Sequence, residues 1–99
     1  MDYYLQIRPE ARADLLDAFY WYQAQMDSLG YDFKSCVDDA MSKIQENPTF
    51  YKIVEQNVRR AFIKKFPFGI FYLTNNNTVV VLAVLHARRD PIKWKSRIL

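Results

Sequence analysis

A nearly uninterrupted apolar run, Val79 to Leu85, leads straight into His86, Arg88, Arg89 and Asp90, with Pro91, Trp94 and Arg97 close behind. Imidazole is the side chain whose unperturbed titration lies nearest neutral pH, and guanidinium groups hold anions through several donors at once. The one histidine and two adjacent arginines are therefore the candidate chemical groups of this chain. The same residues also fit a solvated strand end whose Arg–Asp pair makes only a local salt bridge. What gives them weight is the element before them. A strand this apolar is buried on both faces and lies inside a sheet, so its last residue leaves the core at a fixed point and in a fixed direction.

A second basic group flanks another strand candidate. Arg59, Arg60, Lys64 and Lys65 bracket Ala61, Phe62 and Ile63 in pairs, and strand alternation sends one member of each pair to each sheet face. They are either solvated cations lying along apolar surface or acceptors for an acidic or phosphate-bearing partner. Trp94 has the same duality, since its ring can cover the core or form a contact hot spot. The charge distribution sharpens the question. Residues 1–49 hold four basic and nine acidic side chains, while residues 50–99 hold ten basic against Glu55 and Asp90. Such a division implies a surface that attracts a polyanion or an acidic protein.

Composition bounds the rest. Ninety-nine residues, half of them apolar and a quarter charged, make one domain with one core. No apolar run approaches the roughly 20 residues of a membrane span, and MDYYLQIRPE lacks the basic start and apolar stretch of a signal peptide. A single cysteine, Cys36, excludes an internal disulfide and falls in a helical apolar pattern, where it packs as a small hydrophobe. One histidine and one cysteine do not make a zinc site. The expectation is a cytoplasmic protein with no membrane contact, no cofactor and no metal. Asp38, Asp39 and Glu46 read as solvated helix carboxylates rather than an acid–base pair.

The positioning elements follow from periodicity. Tyr3 to Arg8 alternates as a half-buried strand, with Tyr3, Leu5 and Ile7 on one side. Pro9 opens a helix in which Ala11, Leu15, Ala18, Phe19, Tyr22, Met26 and Leu29 form an apolar stripe, and Gly30 is placed as its C-cap. A second helix begins near Tyr31 or Asp32, carries Phe33, Val37, Ala40, Met41 and Ile44, and stops at Asn47-Pro48. Strands are then expected over Val58–Phe66, Phe68–Thr74 and Thr78–His86, the last two joined through Asn75, Asn76 and Asn77. The whole is an α+β domain of order β-α-α-β-β-β over residues 1–99. A helical hairpin packs on a mainly antiparallel four-stranded sheet, and Phe19, Val37, Ile44, Phe62, Ile70, Val81 and Ala83 should be largely buried.

Several stretches in this order carry a family likeness: DLLDAFYWYQ in the first helix, the Leu29-Gly30 turn, Ile44 through Pro48, VRRAFIKKFPFGIFY at 58–72, and VLAVLHARRDPIKWKSR at 81–97. Over nearly its full length the chain resembles toxins of the RelE/ParE superfamily from type II toxin–antitoxin pairs, and more closely the ParE branch. The resemblance implies a cognate antitoxin that wraps and neutralises the toxin in a hetero-oligomer.

The superfamily contains two modes of action, and the resemblance leaves both open. ParE-like members are associated with inhibition of DNA gyrase by binding. RelE-like members resemble ribosome-dependent endoribonucleases acting on mRNA, which need a base and cations for the phosphorane charge. Ribonucleolytic relatives commonly carry an arginine in a strand matching PFGIFY here, and that position falls on Gly69. The tyrosine they place in the C-terminal segment falls near Trp94, whose indole is neither acid nor base. The gyrase-directed reading is therefore preferred. A ribonuclease using His86 with Arg88 or Arg89 is the alternative, and a non-toxic antitoxin-binding relative is a third. Arg59, Arg60, Lys64, Lys65, Arg88, Arg89, Trp94 and Arg97 are the candidate residues for target or antitoxin binding.

Overall fold

The computed structural model describes residues 2–86 and 91–97. Strand β1 (Tyr4–Ile7) is followed by helices α1 (Pro9–Gln25) and α2 (Leu29–Glu46). Strands β2 (Lys52–Glu55), β3 (Val58–Phe62), β4 (Phe68–Asn75) and β5 (Thr78–His86) come next, and then a short helix α3 (Pro91–Ser96). The sheet has five strands in the order β1-β5-β4-β3-β2, with β1 parallel to β5 and the other pairs antiparallel. The expected four strands become five because Lys52-Ile53-Val54-Glu55 pairs with β3 through a tight turn in which Gln56 takes a left-handed conformation (φ 48°). Four residues with charged ends give too short an alternation to stand out in sequence.

Pro9 occupies the first turn of α1 as its missing N–H allows. The hairpin turn differs from expectation. Helix α1 ends at Gln25, where the Met26 N–H bonds the Tyr22 carbonyl, and the reversal is made at Ser28 (φ 73°). Gly30 is no C-cap; it lies in the first turn of α2, which starts at Leu29. Its role is close approach, because a Cβ there would stand 2.7 Å from the Phe19 carbonyl oxygen of α1.

Both helices cover one face of the sheet. Ala11 and Ala18 bring α1 down onto it, and Phe33, Val37, Ala40, Met41 and Ile44 of α2 are buried against Ala61, Ile63, Ile70, Tyr72, Val79, Val81 and Val84. Each fully buried Val, Ile, Met or Phe among these contributes about 1.5–3 kcal/mol. Tyr22, Phe33, Phe66 and Phe68 close one end of this layer, with ring centroids 4.8 Å apart for Tyr22–Phe66 and 5.2 Å for Phe33–Phe68. Phe19 is only half-buried, and Cys36 likewise.

The opposite face holds a smaller layer of Val58, Phe71, Val80, Leu82, Ala83 and Leu85 beneath Trp94 of α3. Phe62 points to this side and is 56% exposed, contrary to expectation. Ala61 and Ile63 take the core positions on either side of it, β3 itself ends at Phe62, and the remaining residues to Phe66 form the turn into β4. The sheet is thus buried on both faces only along its centre. Strand β5 lies inside the sheet beside central β4, paired on both edges and buried from Val79 through Leu85.

Candidate functional site

The carboxyl end of β5 is shaped by a bulge. Phe71 of β4 lies opposite Ala83 while Tyr72 lies opposite Val81, so Leu82 is an extra residue in β5. Leu82 and Ala83 both fall on the Trp94 side, and Val84 returns to the helix side. Strand β1 stops at the same level: Ile7 is the last residue in register with β5, and the Arg8 N–H bonds the Val81 carbonyl. Beyond that point the outer edge of β5 needs other partners. Asp14 of α1 accepts the Val84 N–H at 3.0 Å, and Arg97 donates to the Leu82 carbonyl at 3.3 Å.

Asp14 and Arg97 also bind each other, Nη1 to Oδ2 at 2.5 Å and Nη2 to Oδ1 at 3.1 Å. The parallel two-bond geometry is the strong form of this pair. Its carboxylate and guanidinium are 9% and 18% exposed, and the Asp14 hydrogen bond, ahead of the charge attraction, raises the Arg97 pKa above its ordinary value. The charge of Arg97 is therefore engaged inside the protein.

His86 ends β5 on the helix side, where its ring meets Phe68 edge-on at 5.7 Å. It lines a cleft of about 420 Å³ together with Asp17, Trp21, Pro67, Phe68 and Lys93. Arg88 and Arg89, the other candidates at this exit, lie outside the described residues. Trp94 is 8% exposed and stacks on Phe71 at 4.9 Å and 17°, so its ring covers the second layer of the core. Lys95 beside it reaches Glu55 of β2 at 3.9 Å.

The β3 basic residues divide between the faces as alternation requires. Arg59 turns toward the α2–β2 loop, its Nη1 donating to the Tyr51 carbonyl at 2.6 Å and the Thr49 carbonyl at 3.2 Å. Arg60 points to the other face, with its guanidinium 4.4 Å from the centroid of exposed Phe62. Gly69 makes room for it, since a Cβ there would lie 3.1 Å from the Arg60 Cγ. Lys52, directly opposite Arg60 in register, shares that face. Lys64 and Lys65 are exposed in the turn before β4, with Lys65 left-handed (φ 69°). The named residues thus occupy several separate places. His86 and Arg60 stand on opposite faces of the sheet.

Sequence reasoning did not single out Asp14, Asp17, Trp21, Lys52 or Lys93. Asp14 reads as a helix N-terminal acid, and its partner is 83 residues away. Trp21 carried a detectable signal: an aromatic beside the apolar stripe of α1, on the flank where Asp17 precedes it by one turn. Asp38 and Asp39 prove to be exposed partners of Lys34 at 2.8 Å and Lys43 at 3.3 Å along α2. Among the described residues no group of acidic, histidine and cysteine side chains is placed to hold a metal, and no helix is long and apolar enough to cross a membrane.

Comparison with known proteins places this geometry in a family. The chain is 24% identical over 88 residues to Toxin ParE2 of Mycobacterium tuberculosis, covering 88% of this chain and 84% of that protein. Its fold is similar to that in the chromosomal ParDE toxin–antitoxin system of P. aeruginosa, with a TM-score of 0.72 at 15% identity over 87% of this chain and 97% of that one. It is also similar to a free E. coli RelE toxin, with a TM-score of 0.62 at 13% identity over 98% and 94% of the two chains. The family described as "ParE toxin of type II toxin-antitoxin system, parDE" matches residues 5–91. With that match over most of its length, the chain belongs to the ParE toxin family of type II toxin–antitoxin systems.

Proposed function

We propose that this toxin acts by binding DNA gyrase rather than by cutting RNA, and that a cognate antitoxin neutralises it. The observation that carries this reading is the dispersal, among the described residues, of groups a ribonuclease would need. Gly69 stands where ribonucleolytic relatives commonly carry arginine, and its place is filled by the aliphatic part of Arg60. His86 lies across the sheet from Arg60 and Lys52, while Arg97 is held by Asp14. Trp94 is stacked into the core. Among the described residues Lys93 is the one cation lining the His86 cleft, and a base with a single cation beside it has little to offer a developing phosphorane. Binding needs only a presented surface, which the basic half of the chain supplies.

The antitoxin reading is supported by the exposed apolar surface of the helical hairpin. Leu16, Tyr20 and Tyr31 flank a groove of about 430 Å³ between α1 and α2, with Arg12 at its rim. An amphipathic antitoxin segment with acidic flanks matches such a surface. The test is a supercoiling assay with purified gyrase and a translation assay with purified ribosomes. The toxin should inhibit supercoiling at concentrations that leave mRNA intact, and the antitoxin should restore it. Ribosome-dependent mRNA cleavage with unaffected gyrase would replace this reading with the ribonuclease one, which His86 and Lys93 in a shared cleft would then serve.

A further inference from the structure

Asp14, Asp17 and Trp21 follow one another along α1 at three- and four-residue spacing, so they lie along one side of the helix. All three line the cleft beneath His86. The facing walls come from Pro67 in the β3–β4 turn, from Phe68 and His86 at the paired ends of β4 and β5, and from Lys93 of α3. Asp14 is consumed by Arg97 and Val84. Asp17 and Lys93 take part in no ion pair among the described residues. Trp21 is 59% exposed, whereas the other tryptophan is sealed into the core.

The cleft therefore offers a planar aromatic wall and, among the described residues, one uncommitted carboxylate and one uncommitted ammonium group. Its volume of about 420 Å³ falls within the roughly 300–1,000 Å³ of small-molecule sites. A purely cationic ligand meets Lys93, a purely anionic one meets Asp17, and an apolar one engages neither charge. A ligand with a flat ring, a donor edge and an anionic group satisfies all three. Among nucleobases guanine fits best, because its N1–H and 2-amino group present two adjacent donors to a carboxylate. Adenine presents a donor beside an acceptor, and the acceptor repels that carboxylate.

We propose that this cleft binds a guanine nucleotide. The base stacks on Trp21, its donor edge meets the Asp17 carboxylate one helical turn away, and its phosphate meets Lys93. His86 keeps its edge contact with Phe68, and no bond is made or broken.

The experiment is a titration of the full-length, isotope-labelled protein, read at the Trp21 indole N–H by NMR. GMP should give a saturable shift with a Kd of about 1 mM or tighter. AMP and guanosine should each bind at least about tenfold more weakly, AMP for its mismatched edge and guanosine for its missing phosphate. Asp17, Trp21 and Lys93 are exposed, so their variants should retain the parent spectrum away from the cleft. Asp17→Asn should erase the preference for GMP over AMP, and Lys93→Ala should reduce GMP to the guanosine level. A short single strand containing guanine supplies the second arm. Asp17-dependent binding of that strand tighter than GMP assigns the nucleotide to nucleic acid, and equal or weaker binding assigns it to the free nucleotide. No saturable shift with GMP up to about 10 mM overturns the proposal. So does an equal response to AMP, a GMP preference retained in Asp17→Asn, or a shift reproduced by inorganic phosphate alone. None of these readouts involves gyrase or the ribosome, so the result stands apart from the choice of target.

Discussion

Asp14 and Arg97, 83 residues apart, close the outer edge of β5 where its parallel neighbour ends. One carboxylate accepts from both the guanidinium and the Val84 N–H, and the guanidinium reaches the Leu82 carbonyl. The pair supplies the hydrogen bonds that further residues of β1 would have made. It also ties the end of α3 to α1 and keeps Trp94 over Phe71.

Asp14→Ala should destabilise the protein by about 3–5 kcal/mol, because it leaves a largely buried guanidinium without its counter-charge and the Val84 N–H without a partner. Arg97→Ala should cost a similar amount. Urea unfolding of the two single variants and the double variant measures the coupling, expected to exceed about 1 kcal/mol. Additive effects would show that the pair does not act as a unit.

Gly30→Ala should be destabilising by about 1–3 kcal/mol even though alanine is the better helix former by about 1 kcal/mol. The added Cβ meets the Phe19 carbonyl oxygen at 2.7 Å, and a backbone atom cannot turn aside as a side chain can. Thermal unfolding decides it. A raised melting temperature would mean that the two helices separate at little cost.

Much of this fold is legible in the residues. The period of two in β1, the apolar stripe of α2, the Asn-rich turn and the limits of β5 all coincide with observed elements, because each is a local pattern. Phe62 misled for a related reason: a large apolar residue in a strand reads as core, and alternation alone does not say which face has a helix on it. Gly30 misled because glycine serves both helix ends and close approaches. The β5 bulge and the Asp14–Arg97 pair are invisible in sequence, since both arise from register and from contacts between distant segments. Among the candidate residues, charge and position in a strand were readable for Arg59 and Arg60. Their opposite destinations, one into a loop and one onto Phe62, depended on what packs beside each face.

Tyr72 should give the protein a specific alkaline weakness. Its buried hydroxyl donates to the Pro48 carbonyl at 2.6 Å. Burial, with a smaller contribution from Tyr51 and opposed by Arg59, raises its pKa well above the ordinary 10.0. An unfolded chain loses this proton near pH 10 while the folded one holds it. The stabilisation is thus complete below pH 10.0 and falls as pH rises above that value. Tyr72→Phe should cost about 1 kcal/mol at neutral pH and show a shallower decline than the parent in urea unfolding between about pH 8 and pH 11. Parallel declines would assign the alkaline loss to other groups.

Charge reversal should separate binding cations from structural ones. Lys64→Glu with Lys65→Glu alters two exposed side chains, and it should weaken antitoxin binding by about tenfold or more and flatten its salt dependence. Arg59→Glu should instead lower stability, since its guanidinium holds the Thr49 and Tyr51 carbonyls. Calorimetric titration across salt concentrations, beside an unfolding curve for each variant, distinguishes them. Unchanged affinity and salt dependence in the double lysine variant would confine the antitoxin interface to surfaces such as the α1–α2 groove, away from this turn.

The most direct test of a binding mode of action is induction of the parent and of His86→Gln in cells, with DNA breaks and mRNA 5′ ends mapped in the same cultures. Glutamine keeps hydrogen-bonding capacity and removes the imidazole as a base, and retained folding and antitoxin binding make the comparison valid. A gyrase-directed binder predicts that both proteins arrest growth, raise double-strand breaks and the SOS response, and leave mRNA ends unchanged. Codon-positioned mRNA cuts by the parent that vanish in His86→Gln would contradict it.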